Sequence, residues 1–332
     1  MIKLFHRDIL TQAVLIVVAL LLLWGRALLS PAPMEAGEHP AVLYGLLCRW
    51  LAGVPRLAVV IAMLLVLLEG VMLNLLLANV GLVSQNSLLP TLLYLVAMST
   101  GPLTLTPMIL VCGIAIACLN QLVLRGTLLT ISPAQICGAT ALIGVATLFY
   151  QPALFLMVSY LLIASNYRLY NWKDWMLMIL GFAAPYVLLV AVLYMCDGLA
   201  AWWPTIPASL SVSHFPLATG HWSLATVATI FLILIFLWSL FNVISHTGER
   251  PVLWQRNAST VMLYTLGGVG MILATGHWLL ATTTFLAIPF AFCTYRMLTT
   301  ASETHLGFGR RKKFSWIYDL LLILTLIAAL LC

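Results

Sequence analysis

The sequence predicts an all-α fold: one polytopic transmembrane helix bundle of about eleven helices, with its N-terminus in the cytoplasm. Three observations lead there. Of 332 residues, 63% are hydrophobic and 7% are charged, whereas a soluble chain carries about 25% charged residues. Several apolar runs approach the roughly 20 residues that span a hydrocarbon core of about 30 Å. Runs such as VATIFLILIFLWSLF (227–241) do not alternate as the strands of a membrane barrel would. Finally, the basic residues divide unequally between the two faces that the runs define.

The first run, 10–30, follows Lys3 and Arg7. It resembles a signal peptide in charge, but it is longer and lacks a small-residue cleavage motif, so it reads as an uncleaved first span. An external connection from Ser30 to Arg56 follows, opened by Pro and Gly, in which AVLYGLLCRWLA (41–52) reads as a short interfacial helix. Further spans are expected at 57–80, 86–102, 104–124, 133–149, 152–167, 175–196, 223–245, 260–275, 277–298 and 315–332. The segment LLPTLLYLVAMS (88–99) is shorter than the roughly 17 residues a span needs, and charge parity decides for a crossing. With it, Arg125, Arg168, Lys173, Arg250, Arg256, Arg296 and the GRRKK run (309–313) share the side of Lys3 and Arg7. The opposite side then holds only Arg26, Arg49 and Arg56. Crossing at 41–54 instead would bury Arg49. The cytoplasmic loops are therefore 125–132, 167–174, 246–259 and 299–314, the long external loops are 30–56 and 197–221, and Cys332 is external. All belong to a single integral-membrane domain.

The net charge of +6 owes much to GRRKK, which marks a loop retained in the cytoplasm and not a nucleic-acid surface. The seven cysteines (Cys48, Cys112, Cys118, Cys137, Cys196, Cys293 and Cys332) are odd in number and lack metal-ligand spacing. Neither a disulfide framework nor a metal site is expected, and no cofactor. No P-loop, GxGxxG, GxSxG or HExxH is present.

One phrase is written twice. LATGHWSLAT (217–226) and LATGHWLLAT (273–282) agree at nine of ten positions. Each places a His, His221 or His277, at the external start of an inward helix, with Thr219 or Thr275 placed to cap it and a Trp at headgroup level. Two readings stand side by side: well-made interfacial helix starts, or paired helix N-termini that cradle a lipid phosphate. His39, His214, Glu35, Glu38 and Asp197 lie on the same face. Glu35 and Glu38 are the candidate external general bases, flanked by Arg26, Arg49 and Arg56. Those arginines either pair with the glutamates or hold an anionic substrate such as a polyprenyl phosphate.

Glu69 falls near the middle of the second span, where a charge costs at least about 2.5 kcal/mol. It is expected to be hydrogen-bonded near Asn74 or to a Ser or Thr of another helix, serving either structure or a proton or ligand site. Asp319 is expected to pair with GRRKK. Small residues in GVGMILATG (Gly268 with Ile272, Gly270 with Ala274) resemble helix-packing contacts.

NYRLYNWKDWMLMILGFAAPYVL (166–188), with VATLFYQPALFLMVSYLLI (145–163) and FLAIPFAFCTYRM (285–297), resembles an integral-membrane family of Bacteroidota without an established activity. That resemblance implies lineage and a place in the bacterial inner membrane of the cell envelope, and no chemistry. The layout of Glu35 and Glu38 before a short interfacial helix also resembles GT-C type glycosyltransferases, although their adjacent acidic pair is absent. This second likeness implies transfer from a polyprenyl-phosphate lipid at the external face. Glu38 or Glu35 would be the base, Arg26, Arg49 and Arg56 would hold phosphate, and His221 and His277 would form the rim. The competing classes are a non-enzymatic subunit or scaffold that partners other envelope membrane proteins, and a transporter using Glu69.

Overall fold

The computed structural model describes residues 9–32, 41–123, 132–167, 171–202, 224–248, 250–275 and 284–303. Helices account for the regular structure of these residues: α1 (Ile9–Leu29), α2 (Val42–Leu51), α3 (Pro55–Asn79), α4 (Leu89–Ser99), α5 (Pro107–Val123) and α6 (Pro133–Phe149). A 3-10 turn at Gln151–Leu154 leads into α7 (Phe155–Asn166). They are followed by α8 (Trp172–Met195), the single turn α9 (Leu199–Trp202), α10 (Leu224–Thr247), α11 (Val252–Thr275) and α12 (Ala287–Glu303). By length and composition, α1, α3, α8 and most of α10 are able to cross a membrane. The apolar helices α2, α4, α5, α6 and the 151–166 stretch are shorter.

The outside of the bundle is as apolar as its inside. On α8 only Met178, Gly181 and Pro185 are buried, while Val187, Leu188 and Met195 stand exposed. A continuous apolar surface of this kind suits lipid and not water.

The segment singled out as short is the centre of the bundle. All eleven residues of α4 are buried, and α4 packs against α12, α3 and α1. Pro90 starts it, and Thr100, Gly101 and Pro102 end it, so its length is only about 16 Å at 1.5 Å per residue. Its flanks supply the rest of the distance. Gln12, in the first turn of α1, donates to Asn86 O (3.0 Å) and accepts the Leu88 N–H (2.8 Å). The Tyr44 hydroxyl of α2, beyond the far end of α1, donates to Leu105 O (3.0 Å). Gln12 and Tyr44 thus hold the two flanks of α4 to other helices. Non-helical backbone needs partners for its polar groups, and Gln12 and Tyr44 supply three of them here. At the other side of this connection, Gly81 takes a left-handed φ of 74° after α3, and Leu82 N–H returns to Leu77 O (2.9 Å). That is the usual glycine-terminated helix end.

Glycines set the tightest helix pair. Helices α6 and α8 run parallel, and a Cβ at Gly144 would lie 2.7 Å from both Phe182 O and Pro185 Cγ. One at Gly181 would lie 2.5 Å from Cys137 O and closer still to Thr140 Oγ1. The Tyr186 hydroxyl donates to Thr147 Oγ1 (2.8 Å) further along the same seam.

Two expectations need correction. Helix α11 begins at Val252 and not near 260, so most of the expected 246–259 loop is helical. The Gln255 side chain folds back to Arg250 O (2.7 Å), and Arg256 lies 4.9 Å from the Tyr167 ring centre, which lets the polar residues join the helix. Helix α12 spans Ala287–Glu303, so it runs past 298 and takes in the start of the expected 299–314 loop, while residues 276–283 lie outside the described residues. In α11 the packing glycines are Gly267 and Gly270, which meet Ser159 and Phe155 of α7, while Gly268 meets Phe285. Gly268 and Gly270 thus sit at helix contacts, as expected of the small residues in GVGMILATG.

Candidate functional site

Helix α3 buries the stripe Val66, Glu69, Gly70, Leu73 and Leu77 while Leu64, Leu68, Met72 and Leu75 stay exposed. Helical periodicity therefore turns Glu69 inward, leaving it 1% exposed. Gly70 lets α4 approach: the Thr91 hydroxyl donates to Gly70 O (3.2 Å). That contact brings Tyr94 one turn further on, where its hydroxyl donates to Glu69 Oε2 (2.7 Å). On the other side, Gly113 of α5 makes the room, since a Cβ there would lie 2.7 Å from Glu69 Oε1. Oε1 itself has no hydrogen-bond partner of good geometry. The Glu69 partner is thus Tyr94, not the surroundings of Asn74 and not a Ser or Thr. An unpaired buried oxygen beside a paired one is a high-stakes arrangement in a medium of low dielectric.

The Cys112 thiol, next to Gly113, donates to Thr284 O (3.1 Å). It also lies beside the hydroxyls of Tyr94 and of Tyr264 on α11. Four elements, α3, α4, α5 and α11, therefore converge on one polar core within the bundle. Sequence reasoning found Glu69 and missed Tyr94, Cys112 and Tyr264. The missed signal was the position of the tyrosines, since Tyr in membrane helices belongs at the interfaces and these two sit inside apolar runs.

The three arginines of the sparse face are all exposed. Arg26 is in the last turn of α1, Arg49 in the last turn of α2, and Arg56 in the first turn of α3. Chain order puts them at one end of the bundle, where α1 finishes and α3 begins. The helix dipole favours a cation at the ends of α1 and α2 but opposes one at the start of α3, so the dipole does not account for Arg56. Helix α2 buries Tyr44 and Cys48 and exposes Leu46, Arg49 and Trp50, the division expected of a helix lying in an interface.

Asp197 takes φ 51° just past α8, with Gly198 N–H bonded to Leu193 O (2.9 Å), so it terminates that helix. Glu35, Glu38, His39, His214, Thr219, His221, His277 and Asp319 lie outside the described residues. Among the described residues, no three His, Cys, Asp or Glu side chains cluster as a metal site, and the cysteines, Cys196 apart, are buried or half-buried free thiols.

No family model, curated protein or solved structure matches the chain.

Proposed function

We propose that this is a multi-pass protein of the bacterial inner membrane that binds a phosphorylated polyprenyl lipid where α1, α2 and α3 meet and transfers its glycosyl or phosphate-linked group there. The carrying observation is that Arg26, Arg49 and Arg56 are each exposed, at the end of α1, the end of α2 and the start of α3, with Arg49 on a helix of interfacial character. An arginine fork matches phosphate oxygens in pairs. In this reading Glu38 or Glu35 removes the proton of the acceptor hydroxyl as the new bond forms. The lipid phosphate leaves with the electron pair of the broken bond, neutralised by the arginines, and His221 and His277 close the rim. The resemblance to the Bacteroidota family supports the envelope setting, and the likeness in layout to GT-C enzymes supports the reaction class.

Native mass spectrometry of the protein released in mild detergent from its own membranes tests this. A bound polyprenyl-phosphate species that disappears on Arg49→Ala or His221→Ala is the expected result. A stoichiometric protein partner with no such lipid would make the chain a subunit or scaffold of an envelope complex. A second reading, transport through an intramembrane carboxyl, is favoured by the burial of Glu69 against Tyr94. It gains if Glu69→Gln abolishes complementation of a deletion strain while Glu35→Gln and Glu38→Gln are tolerated.

A further inference from the structure

Glu69 lies on α3 thirteen residues beyond Arg56, about 20 Å along the axis at 1.5 Å per residue. From α4, the Tyr94 hydroxyl donates to Oε2 (2.7 Å), while the neighbouring Thr91 hydroxyl is bonded to Gly70 O (3.2 Å). From α5, the Cys112 thiol is directed at Thr284 O (3.1 Å), and Gly113 offers only space. Tyr264 of α11 lies beyond Cys112. Helices α1 and α2 add only Arg26 and Arg49, both exposed in their last turns. Among the described residues, the Glu69 carboxyl therefore meets one hydrogen-bond donor of good geometry and no cation.

One donor does not support an ionised carboxylate in such a place. A buried charge without a partner costs far more than a hydrogen bond offsets, so the group neutralises instead. The two oxygens are also distinguished by their contacts. Oε2 accepts from Tyr94, whereas Oε1 lies against Gly113 with no partner of good geometry. An acid O–H is the form of Oε1 that carries no charge into that apolar gap. A metal cation does not suit the site either. Hard cations take about six or more oxygen ligands, and the side-chain oxygens that meet here are the carboxyl pair and the Tyr94 hydroxyl.

We propose that Glu69 is an intramembrane proton-binding site, a neutral acid with its proton on Oε1 against Gly113 and its Oε2 held by Tyr94, which takes protons and not metal cations. This deepens the transport reading and rests on it only for the use to which the proton is put. Binding forms one O–H bond on Oε1. Release breaks that bond, leaves its electron pair on the oxygen and returns the proton to water. No bond between heavy atoms changes, and nothing is oxidised or reduced.

Infrared spectroscopy of the full chain at neutral pH, in maltoside micelles that contain no carbonyl, tests this. A protonated carboxyl has a C=O band separate from the bands of carboxylates. The expected result is such a band that is lost in Glu69→Gln and is the same in sodium, magnesium and choline chloride. In Tyr94→Phe it moves to higher frequency, because Oε2 loses its donor. Glutamate labelled with 13C at the side-chain carboxyl shifts the same band in the unaltered protein, which assigns it even where Glu69→Gln does not fold. If neither the label nor Glu69→Gln alters a protonated-carboxyl band, Glu69 is ionised and the proposal fails. A band abolished by sodium or magnesium marks a metal site and overturns it equally, and a band unmoved in Tyr94→Phe overturns the arrangement of the two oxygens. Full complementation of a deletion strain by Glu69→Gln, with the band present in the unaltered protein, leaves the proton site standing and removes the transport reading alone.

Discussion

Replacing Gly181 by alanine adds one methyl group where α8 packs tightly against the backbone of α6. An ideal Cβ at that position lies 2.5 Å from Cys137 O, against about 3.4 Å for ordinary contact, so the two helices must part there by roughly 0.9 Å. Thr140 cannot simply yield, because its hydroxyl is already bonded to Ile136 O (3.0 Å) and Cys137 O (3.1 Å). A separation of that size forfeits about a quarter to a half of the dispersion energy of the contacts it opens, and overpacking of this kind costs about 1–3 kcal/mol. Stretching the Tyr186–Thr147 hydrogen bond adds about 0.6 kcal/mol at the mean value for membrane proteins. Against this, alanine gains up to about 1 kcal/mol of helix propensity over glycine. The net expectation for Gly181→Ala is a loss of about 1–3 kcal/mol, read as a shift in reversible unfolding in mixed SDS micelles. The control is Gly138→Ala on the facing helix, where a Cβ meets nothing within 4 Å. That variant keeps the propensity gain without the clash and should be as stable as the parent or more so. Equal stability of the two variants would refute the close-packing account of the α6–α8 pair.

Other outcomes follow from single contacts. Tyr186→Phe removes one partly buried hydrogen bond and should cost about 0.6 kcal/mol in the same unfolding assay, well below Gly181→Ala. Gln12→Leu strands Leu88 N–H and Asn86 O together, so a larger loss of about 1–3 kcal/mol is expected. A loss below that of Tyr186→Phe would show that Gln12 does not hold the connection. The orientation is checked in a background with Cys196 and Cys332 changed to Ser. A thiol placed at Gly53, between α2 and α3, should react with an impermeant maleimide on intact cells. One at Gly248, between α10 and α11, should react only after permeabilisation, and the reverse pattern would invert the topology. Arg296→Ala loses its place 5.1 Å from the Trp254 ring centre and should cost about 0.5–2 kcal/mol, with Arg296→Lys recovering part of it.

Much of the fold was legible because membrane helices obey length and polarity one segment at a time. The sixth helix was expected at 133–149 and occupies Pro133–Phe149. The interfacial helix was expected at 41–52 and occupies Val42–Leu51. Pro and Ser at the entry of one, and Pro and Gly around the other, fix those ends through local backbone chemistry. Limits set by tertiary contacts were less legible. Helix α11 starts two turns early because Arg256 finds the Tyr167 ring on a different part of the chain. Charge parity led to the expectation that 86–102 crosses, while the hydrogen bonds by which Gln12 and Tyr44 hold the backbone on either side of α4 join residues 61 to 76 positions apart and leave no local signal.

The candidate sites divide along the same line. The sequence by itself determined that Glu69 would lie in the middle of a long apolar helix and that Arg26 and Arg56 would sit at the ends of theirs, since both are consequences of position along a helix. Only the tertiary structure decided that Tyr94 is the partner of Glu69 and that Gly113 opens the space for its second oxygen. Inside a bilayer every helix face is apolar, so hydropathy no longer distinguishes the surface that meets lipid from the one that meets protein. Which polar groups meet is then settled by close packing of small residues such as Gly70, Gly113 and Gly267, whose partners lie on other helices and leave no periodic trace in the chain.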